Sequence, residues 1–129
     1  LASVEERLEF AIPNVPVVSL ADLVLEWFPL NLSIKGMLKA TGTSVRDIRH
    51  ELAVHSALTY QPKLPRERLM VIAGAGDRLA PPKHARLLWD HWDRPRIHWF
   101  PGNHLVHLDK GKYLKEMASF MREIDFDRM

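Results

Sequence analysis

A continuous apolar segment in the middle of the chain constrains the fold more than any other feature. The run from Arg68 to Ala75, RLMVIAGA, has charged residues before it and Gly76 after it. A short apolar run without polar alternation is typical of a strand buried on both faces, as in a parallel sheet with helices on each side. The segment therefore predicts a central parallel strand.

The residues that follow this run alternate between helical and strand patterns. Residues 82–92 favour a helix, because a proline such as Pro82 is tolerated in the first turn, where its missing N–H would be unpaired. The segment RIHWFPGNH, residues 96–104, alternates and then reaches Pro-Gly, which indicates a strand and its exit turn. Residues 112–124 carry a wide apolar stripe and predict the last helix.

The first part of the chain predicts one more strand and one more helix. Leu8–Ile12 is rich in β-branched and aromatic residues, and Pro13 and Pro16 should end the strand because proline lacks the N–H needed for pairing. Ser19 precedes ADLVLEWF, whose apolar residues recur at helical spacing, so Ser19 is expected to cap a helix that ends by Pro29.

Residues 30–65 are the least patterned part of the chain. The run SVRDIRHELAVHSAL, residues 44–58, predicts a helix capped by Ser44, and residues 61–65 form a linker. Strands and helices thus alternate along the chain. This order predicts an α/β fold with three layers, in which helices flank a parallel sheet of about three strands.

Composition bounds the classes of function. The 129 residues are 47% hydrophobic and fit one domain. Lys and Arg number 18 against 16 Asp and Glu, and they are scattered, which does not support a nucleic-acid-binding face. The absence of Cys excludes disulfides and a cysteine nucleophile, and the apolar runs are too short to span a bilayer. We expect a cytoplasmic protein without a membrane span.

Chemistry-bearing side chains follow two of the predicted strands. Asp77 comes just after the central strand, and His104 comes just after the strand that begins at Arg96. Carboxyl ends of neighbouring parallel strands meet at one edge of the sheet, where ligands bind in such folds. A carboxylate there can orient an imidazole so that its other nitrogen acts as a base. The sequence therefore predicts an acid–histidine pair at this edge.

The motifs around this pair resemble the C-terminal portion of the α/β-hydrolase family. VIAGAGDRLAPP resembles that family's acid-bearing strand exit, and FPGNH resembles its histidine loop. The opening LASVEERLEFAIP is similar to the end of the helix behind the family's nucleophile turn, with the next strand. The resemblance implies a serine hydrolase of small-molecule esters or related acyl compounds, without a cofactor. It implies Asp77 as the catalytic acid, His104 as the base and residues 19–65 as a helical cap-like insertion.

The family's nucleophile turn, G-x-S-x-G, is absent from this chain. The family order of serine, acid and histidine implies a nucleophile before Leu1, a position that is itself not a Met. We therefore expect residues upstream, and a chain that is inactive by itself. An open sheet edge at Leu8–Ile12 would tend to associate, so we expect a homodimer through that edge strand.

Other interpretations of the same residues stay open. Asp77 is also suited to begin a turn and cap the following helix. His107 is a rival base, and Asp22 is an alternative position for the acid. His104, His107 and Asp109 together form a possible metal set, because imidazole and carboxylate suit zinc and similar ions.

Two further patterns have weaker functional interpretations. GAG at residues 74–76 is similar to part of a dinucleotide loop, but it lacks the third glycine and runs into prolines. Trp89, Trp92 and Trp99 are expected to pack in the core, with an aromatic ligand platform as the alternative. The rival to the hydrolase as a whole is a non-catalytic α/β module for binding or assembly.

Overall fold

The computed structural model describes residues 1–126 and has a mixed α/β fold. Five α-helices and two strands follow one another over these residues. They are α1 (Leu20–Glu26), α2 (Leu30–Thr41), α3 (Val45–Glu51), β1 (Met70–Gly74), α4 (Pro82–His91), β2 (Arg96–Phe100) and α5 (Lys110–Glu123). Short 3-10 turns occupy Ala53–His55 and Arg66–Arg68.

The strands β1 and β2 pair in parallel and form the centre of the fold. Met70 lies opposite Arg96, and Gly74 lies opposite Phe100. The helix α4 connects the carboxyl end of β1 to the amino end of β2. Every residue of β1 is buried, which confirms the central buried strand predicted from the apolar run.

The strand predicted at Leu8–Ile12 is wrong as a continuous strand. The backbone of this region runs parallel to β1 and forms two isolated bridges, Ala11 with Leu69 inside the predicted segment and Asn14 with Ile72 just beyond it. Backbone hydrogen bonds join Ala11 to β1, and the Pro13 carbonyl accepts from the Ile72 N–H at 3.0 Å. Pro13 has no N–H to donate in return, so the pairing breaks there. The regular sheet therefore has two strands, not the expected three.

Helices cover both faces of this sheet, because successive side chains of a strand point to opposite sides. On one face, β1 packs against α4 and the segment before α1; the buried members of this cluster are Val18, Leu69, Val71, Ala73, Ala85, Leu88 and Trp92. On the other face, β1 and β2 pack against α5; the buried members are Met70, Ile72, Phe100 and Phe120. Burial of each large apolar side chain contributes about 1.5–3 kcal/mol.

Two helix starts in the first half agree with the sequence. The Ser19 hydroxyl accepts from the Asp22 N–H at the start of α1. Ser44 and Asp47 bond reciprocally at the start of α3, where the Ser44 N–H donates to the Asp47 carboxylate at 2.8 Å. Both predicted caps are confirmed.

The helical boundaries between residues 30 and 58 differ from the prediction. The helix α2 was not predicted; its apolar residues Leu30, Ile34, Met37 and Leu38 recur at helical spacing, but Gly36 lies among them and no side chain caps its start. It ends at Gly42, whose φ of 67° is left-handed and favours glycine. The helix α3 stops at Glu51 and does not continue to Leu58. Of the helices in residues 1–126, none has the length and apolar character needed to cross a membrane.

Candidate active site

The loops that follow β1 and β2 extend side by side beyond the sheet. The Ala75 N–H donates to the Phe100 carbonyl at 3.0 Å, and the Gly76 N–H donates to the Gly102 carbonyl at 2.9 Å. A Cβ at Gly76 would lie 2.8 Å from the Gly102 oxygen, so only glycine permits this approach. These backbone bonds bring the residues that follow, Asp77 and His104, to one place.

The Asp77 carboxylate is buried and uses its two oxygens differently. Its side chain is 0% exposed. Oδ1 accepts from the Leu79 N–H at 2.9 Å and from the Ala80 N–H at 2.8 Å, which closes a turn. Oδ2 lies 2.9 Å from Nδ1 of His104. Asp77 therefore closes a turn with one oxygen and contacts a histidine with the other. It does not cap α4, whose first residue follows Pro81 without a side-chain cap.

His104 presents its second ring nitrogen away from this contact. A proton on Nδ1 satisfies the bond to an ionised Asp77, and in that tautomer Nε2 keeps a lone pair. The His104 side chain is 36% exposed, so the imidazole is half in solvent while its carboxylate partner is not. Such a histidine can accept a proton at Nε2 and share the resulting charge with a fixed carboxylate.

The histidine loop is closed by the residues just before His104. The Asn103 side-chain oxygen accepts from the Leu105 N–H at 3.0 Å and from the Val106 N–H at 2.9 Å. Gly102 has φ 129°, and a Cβ there would lie 2.1 Å from the Val106 oxygen. Gly102 and Asn103 therefore set the backbone that carries His104. The sequence prediction missed Asn103, although an Asn after Pro-Gly is a signal for a side-chain-closed turn.

The rival residues are held by other partners. The ring of His107 stacks on Phe100, with centroids 4.1 Å apart. The Asp22 carboxylate bonds to Arg49 at 2.5 Å and to the Ser19 hydroxyl at 2.6 Å. Burial opposes ionisation of Asp22, but these hydrogen bonds outweigh burial and lower its pKa. Asp22 is therefore committed to the contact between α1 and α3.

The remaining candidates have structural roles. Residues 1–126 hold no group of three or more His, Cys, Asp or Glu arranged to bind a metal, so His104, His107 and Asp109 do not form one. The N–H groups of Ala75 and Gly76 are used within the sheet extension, which removes them from any phosphate site. Trp92 is buried in the core and the partly buried Trp99 packs against it, as predicted. Trp89 is partly buried outside the two core clusters and donates its indole N–H to the Pro95 carbonyl at 2.7 Å.

The structure gives His104 no hydroxyl partner. Of the serines in residues 1–126, none hydrogen-bonds to His104; the recorded partner of its ring is Asp77. The part of the chain that the structure describes thus contains an acid and a base, without a nucleophile joined to them.

Two relatives of this chain are known from two strains of Mycobacterium tuberculosis, and both are uncharacterized proteins. Each is 34% identical to the chain over 105 residues, an alignment that covers 81% of this chain and 24% of the relative. The chain therefore spans about a quarter of the length of the curated relatives it matches. No family model matches the chain, and no solved structure gives a significant match.

Proposed function

We propose that this chain supplies the acid and the general base of a serine hydrolase of the α/β-hydrolase fold. The substrate class is a small-molecule ester or related acyl compound, and the nucleophilic serine lies on residues outside this chain. The observation that carries the proposal is the 2.9 Å contact between the buried Asp77 carboxylate and the partly exposed His104. It lies at the carboxyl edge of a parallel strand pair, where α/β folds bind ligands.

The chemistry assigned to the pair is proton transfer. As the serine oxygen attacks the acyl carbon, Nε2 of His104 takes the hydroxyl proton and then gives it to the departing alcohol. A water molecule repeats the sequence: His104 takes its proton, the water oxygen attacks the acyl-enzyme, and the proton returns to the serine oxygen. Asp77 stays ionised throughout and stabilises the imidazolium that forms twice per turnover.

Labelling with a fluorophosphonate, which reacts with activated serines, tests the proposal on the full-length protein. We expect the wild type to label at a serine outside residues 1–129. The change His104→Ala should slow labelling by about 10³-fold or more, because the base is lost. The change Asp77→Asn keeps an oxygen acceptor for the turn but favours the wrong imidazole tautomer, so it should slow labelling by about 10²–10⁴-fold while the protein stays folded.

A matched control separates this effect from the mere removal of an imidazole. His55 is exposed on the 3-10 turn that follows α3, and His55→Ala should label like the wild type. A folded full-length protein that never labels would overturn the hydrolase and favour the non-catalytic α/β module. Equal labelling by the wild type and by His104→Ala would remove His104 from the reaction.

A further inference from the structure

Two adjoining cavities open beside His104 and share two wall residues. The smaller, about 240 Å³, is lined by Gly76, Arg78, Leu79, Asn103, His104 and Leu105. The larger, about 690 Å³, is lined by Glu26, Trp27, Phe28, Leu30, Arg78 and Leu79. Arg78 and Leu79 belong to the walls of both cavities. We call the two together the Arg78 cleft.

The Arg78 cleft has apolar walls that solvent reaches. Phe28 is 78% exposed and Leu105 is 83% exposed, and Leu30 and Leu79 are also exposed. The Trp27 indole N–H donates to the Leu79 carbonyl at 3.1 Å, which fastens the end of α1 to the loop that carries Asp77. A cluster of large exposed apolar side chains held in place beside a cavity is typical of a ligand-binding surface.

Glu26 and Arg78 are the acidic and basic residues in the walls of this cleft, and only Glu26 is ion-paired over residues 1–126. Glu26 is ion-paired with Lys83, so its carboxylate is neutralised. Arg78 is exposed, and over residues 1–126 the structure gives its guanidinium neither an ion pair nor a hydrogen bond. Six other arginines of residues 1–126 are paired with carboxylates, whereas Arg46, Arg86 and Arg122 resemble Arg78 in having no ion pair there; the paired ones are Arg7, Arg49, Arg66, Arg68, Arg94 and Arg96. The cleft therefore combines apolar walls with one guanidinium whose N–H groups have no protein partner over residues 1–126, next to the acid–histidine pair.

We propose that the Arg78 cleft binds an anionic amphiphile, whose apolar chain lies against Trp27, Phe28 and Leu30 and whose carboxylate or phosphate bonds to Arg78. Guanidinium is suited to this role because its planar N–H groups match both anions in a bidentate manner. The claim that this amphiphile is the substrate rests on the proposed hydrolase function. The claim that it binds at Arg78 does not depend on a nucleophilic serine.

Direct binding to the full-length protein tests the inference. The probes are octanoate, octyl phosphate and octanol, which share one apolar chain and differ in the head group, with affinity measured by calorimetry. We expect both anions to bind at least tenfold more tightly than octanol, with a preference that weakens as salt rises. Arg78→Gln should abolish the preference and leave octanol binding unchanged, and Arg78→Lys should retain part of it.

Arg46 provides the matched control. It is exposed on α3, outside the walls of the cleft and without an ion pair over residues 1–126, so Arg46→Gln should leave all three affinities unchanged. Tighter binding of octyl phosphate or of octanoate identifies the anion, and either result supports the site.

Three results would overturn the inference: no binding of the anions, equal binding of anions and octanol, or an anion preference that persists in Arg78→Gln. Failure of the hydrolase proposal is detected by a different measurement, the fluorophosphonate labelling. A protein that prefers anions through Arg78 but never reacts with fluorophosphonate retains the site and loses the reaction.

Discussion

The two ends of the β1–β2 pair differ in how far their charged side chains are exposed to solvent. At the amino end, a cavity of about 760 Å³ is lined by Arg66, Arg68, Arg94 and Arg96 with acidic residues among them. At the carboxyl end, the cavity beside His104 is about 240 Å³, and its neighbour Asp77 is fully buried. The larger opening thus lies far from the acid–histidine pair along the strands. Burial of a charged group, and not cavity size, distinguishes the end suited to chemistry.

Exposure explains why the amino end is poorly suited to catalysis. Arg96 bonds to Glu116 at 2.8 Å and to Glu123 at 2.7 Å. These hydrogen bonds lower the pKa of both glutamates, so both are ionised and neutralise the arginine. Water screens such pairs, so each contributes little to stability. The Asp77 carboxylate is buried, so each bond that it loses has a larger energetic effect.

The largest expected effect is the replacement of Asp77 by alanine. This change leaves the Leu79 and Ala80 N–H groups without their acceptor, and we expect a loss of about 2–4 kcal/mol in the free energy of unfolding. Urea denaturation of the full-length protein measures it. Asp77→Asn, which retains an oxygen, should lose less than half as much. Similar losses for both variants would show that the turn bonds are not what Asp77 contributes.

The next effect concerns the backbone that carries His104. A Cβ at Gly102 would lie 2.1 Å from the Val106 oxygen, at a φ of 129° that side chains rarely adopt. Gly102→Ala should therefore cost about 1–3 kcal/mol and also reduce fluorophosphonate labelling, because the loop must move. The matched control is Gly111 in α5, where nothing lies within 4 Å of an added Cβ. Gly111→Ala should be neutral or stabilise by up to about 1 kcal/mol. Equal stability of the two variants would contradict the tight loop.

These variants probe what the sequence predicted well. The run before Asp77 has no polar alternation, so its burial could be predicted, and the rule that parallel strands end at one edge brought Asp77 and His104 together. The predictions that failed concern weaker local signals. In α2 the apolar residues do recur at helical spacing, but Gly36 and the lack of a capping side chain weaken the signal. The missing N–H of Pro13 ends a pairing that propensity predicted.

Other features of the molecule, at both ends of the strands, depend on contacts between distant residues and could not be predicted. Arg96 is 20 residues from Glu116 and 27 from Glu123, and no spacing rule joins a strand residue to a later helix at those separations. Whether the Arg78 guanidinium is ion-paired likewise depends on which carboxylates lie within reach of it. Glu26 would be a neighbour across the cleft, but Lys83 pairs with it.

A smaller effect is expected in the pH dependence of folding stability, where buried His84 and the exposed Arg96 pairs act over different pH ranges. His84 of α4 is buried, and its Nδ1 accepts from the Val18 N–H at 3.3 Å. Burial chiefly, with the nearby Lys83, lowers the pKa of His84 below 6.5, and Asp22 opposes this only in part. Below pH 6.5 the unfolded chain therefore takes up a proton that the folded chain does not. Folding stability should fall as pH falls, by at most about 1.4 kcal/mol per pH unit.

A comparison of His84→Leu with the wild type isolates the contribution of His84 to this pH dependence. His84→Leu cannot take up the proton, so its free energy of unfolding should fall less steeply than that of the wild type between pH 6.5 and 5. His55→Ala, at an exposed histidine, should follow the wild type. The Arg96 pairs behave differently, because Glu116 and Glu123 have lowered pKa values and their contribution is lost only as pH falls below about 4.5. Identical slopes for the wild type and His84→Leu would contradict a neutral buried His84.

The smallest effect is expected at the amino end itself. Arg96→Gln removes both pairs with α5, yet Glu116 and Glu123 stay in contact with water, so the loss of stability should be the smallest of this series and should shrink at high salt. Fluorophosphonate labelling should not change, because Arg96 lies at the opposite end of β2 from the loop that carries His104. Urea denaturation at low and high salt measures the loss. A loss of stability as large as that of Asp77→Ala would mean that the two ends are energetically alike. A change in labelling would mean that they are coupled through the strand. In either case exposure would no longer explain why only one end suits proton transfer.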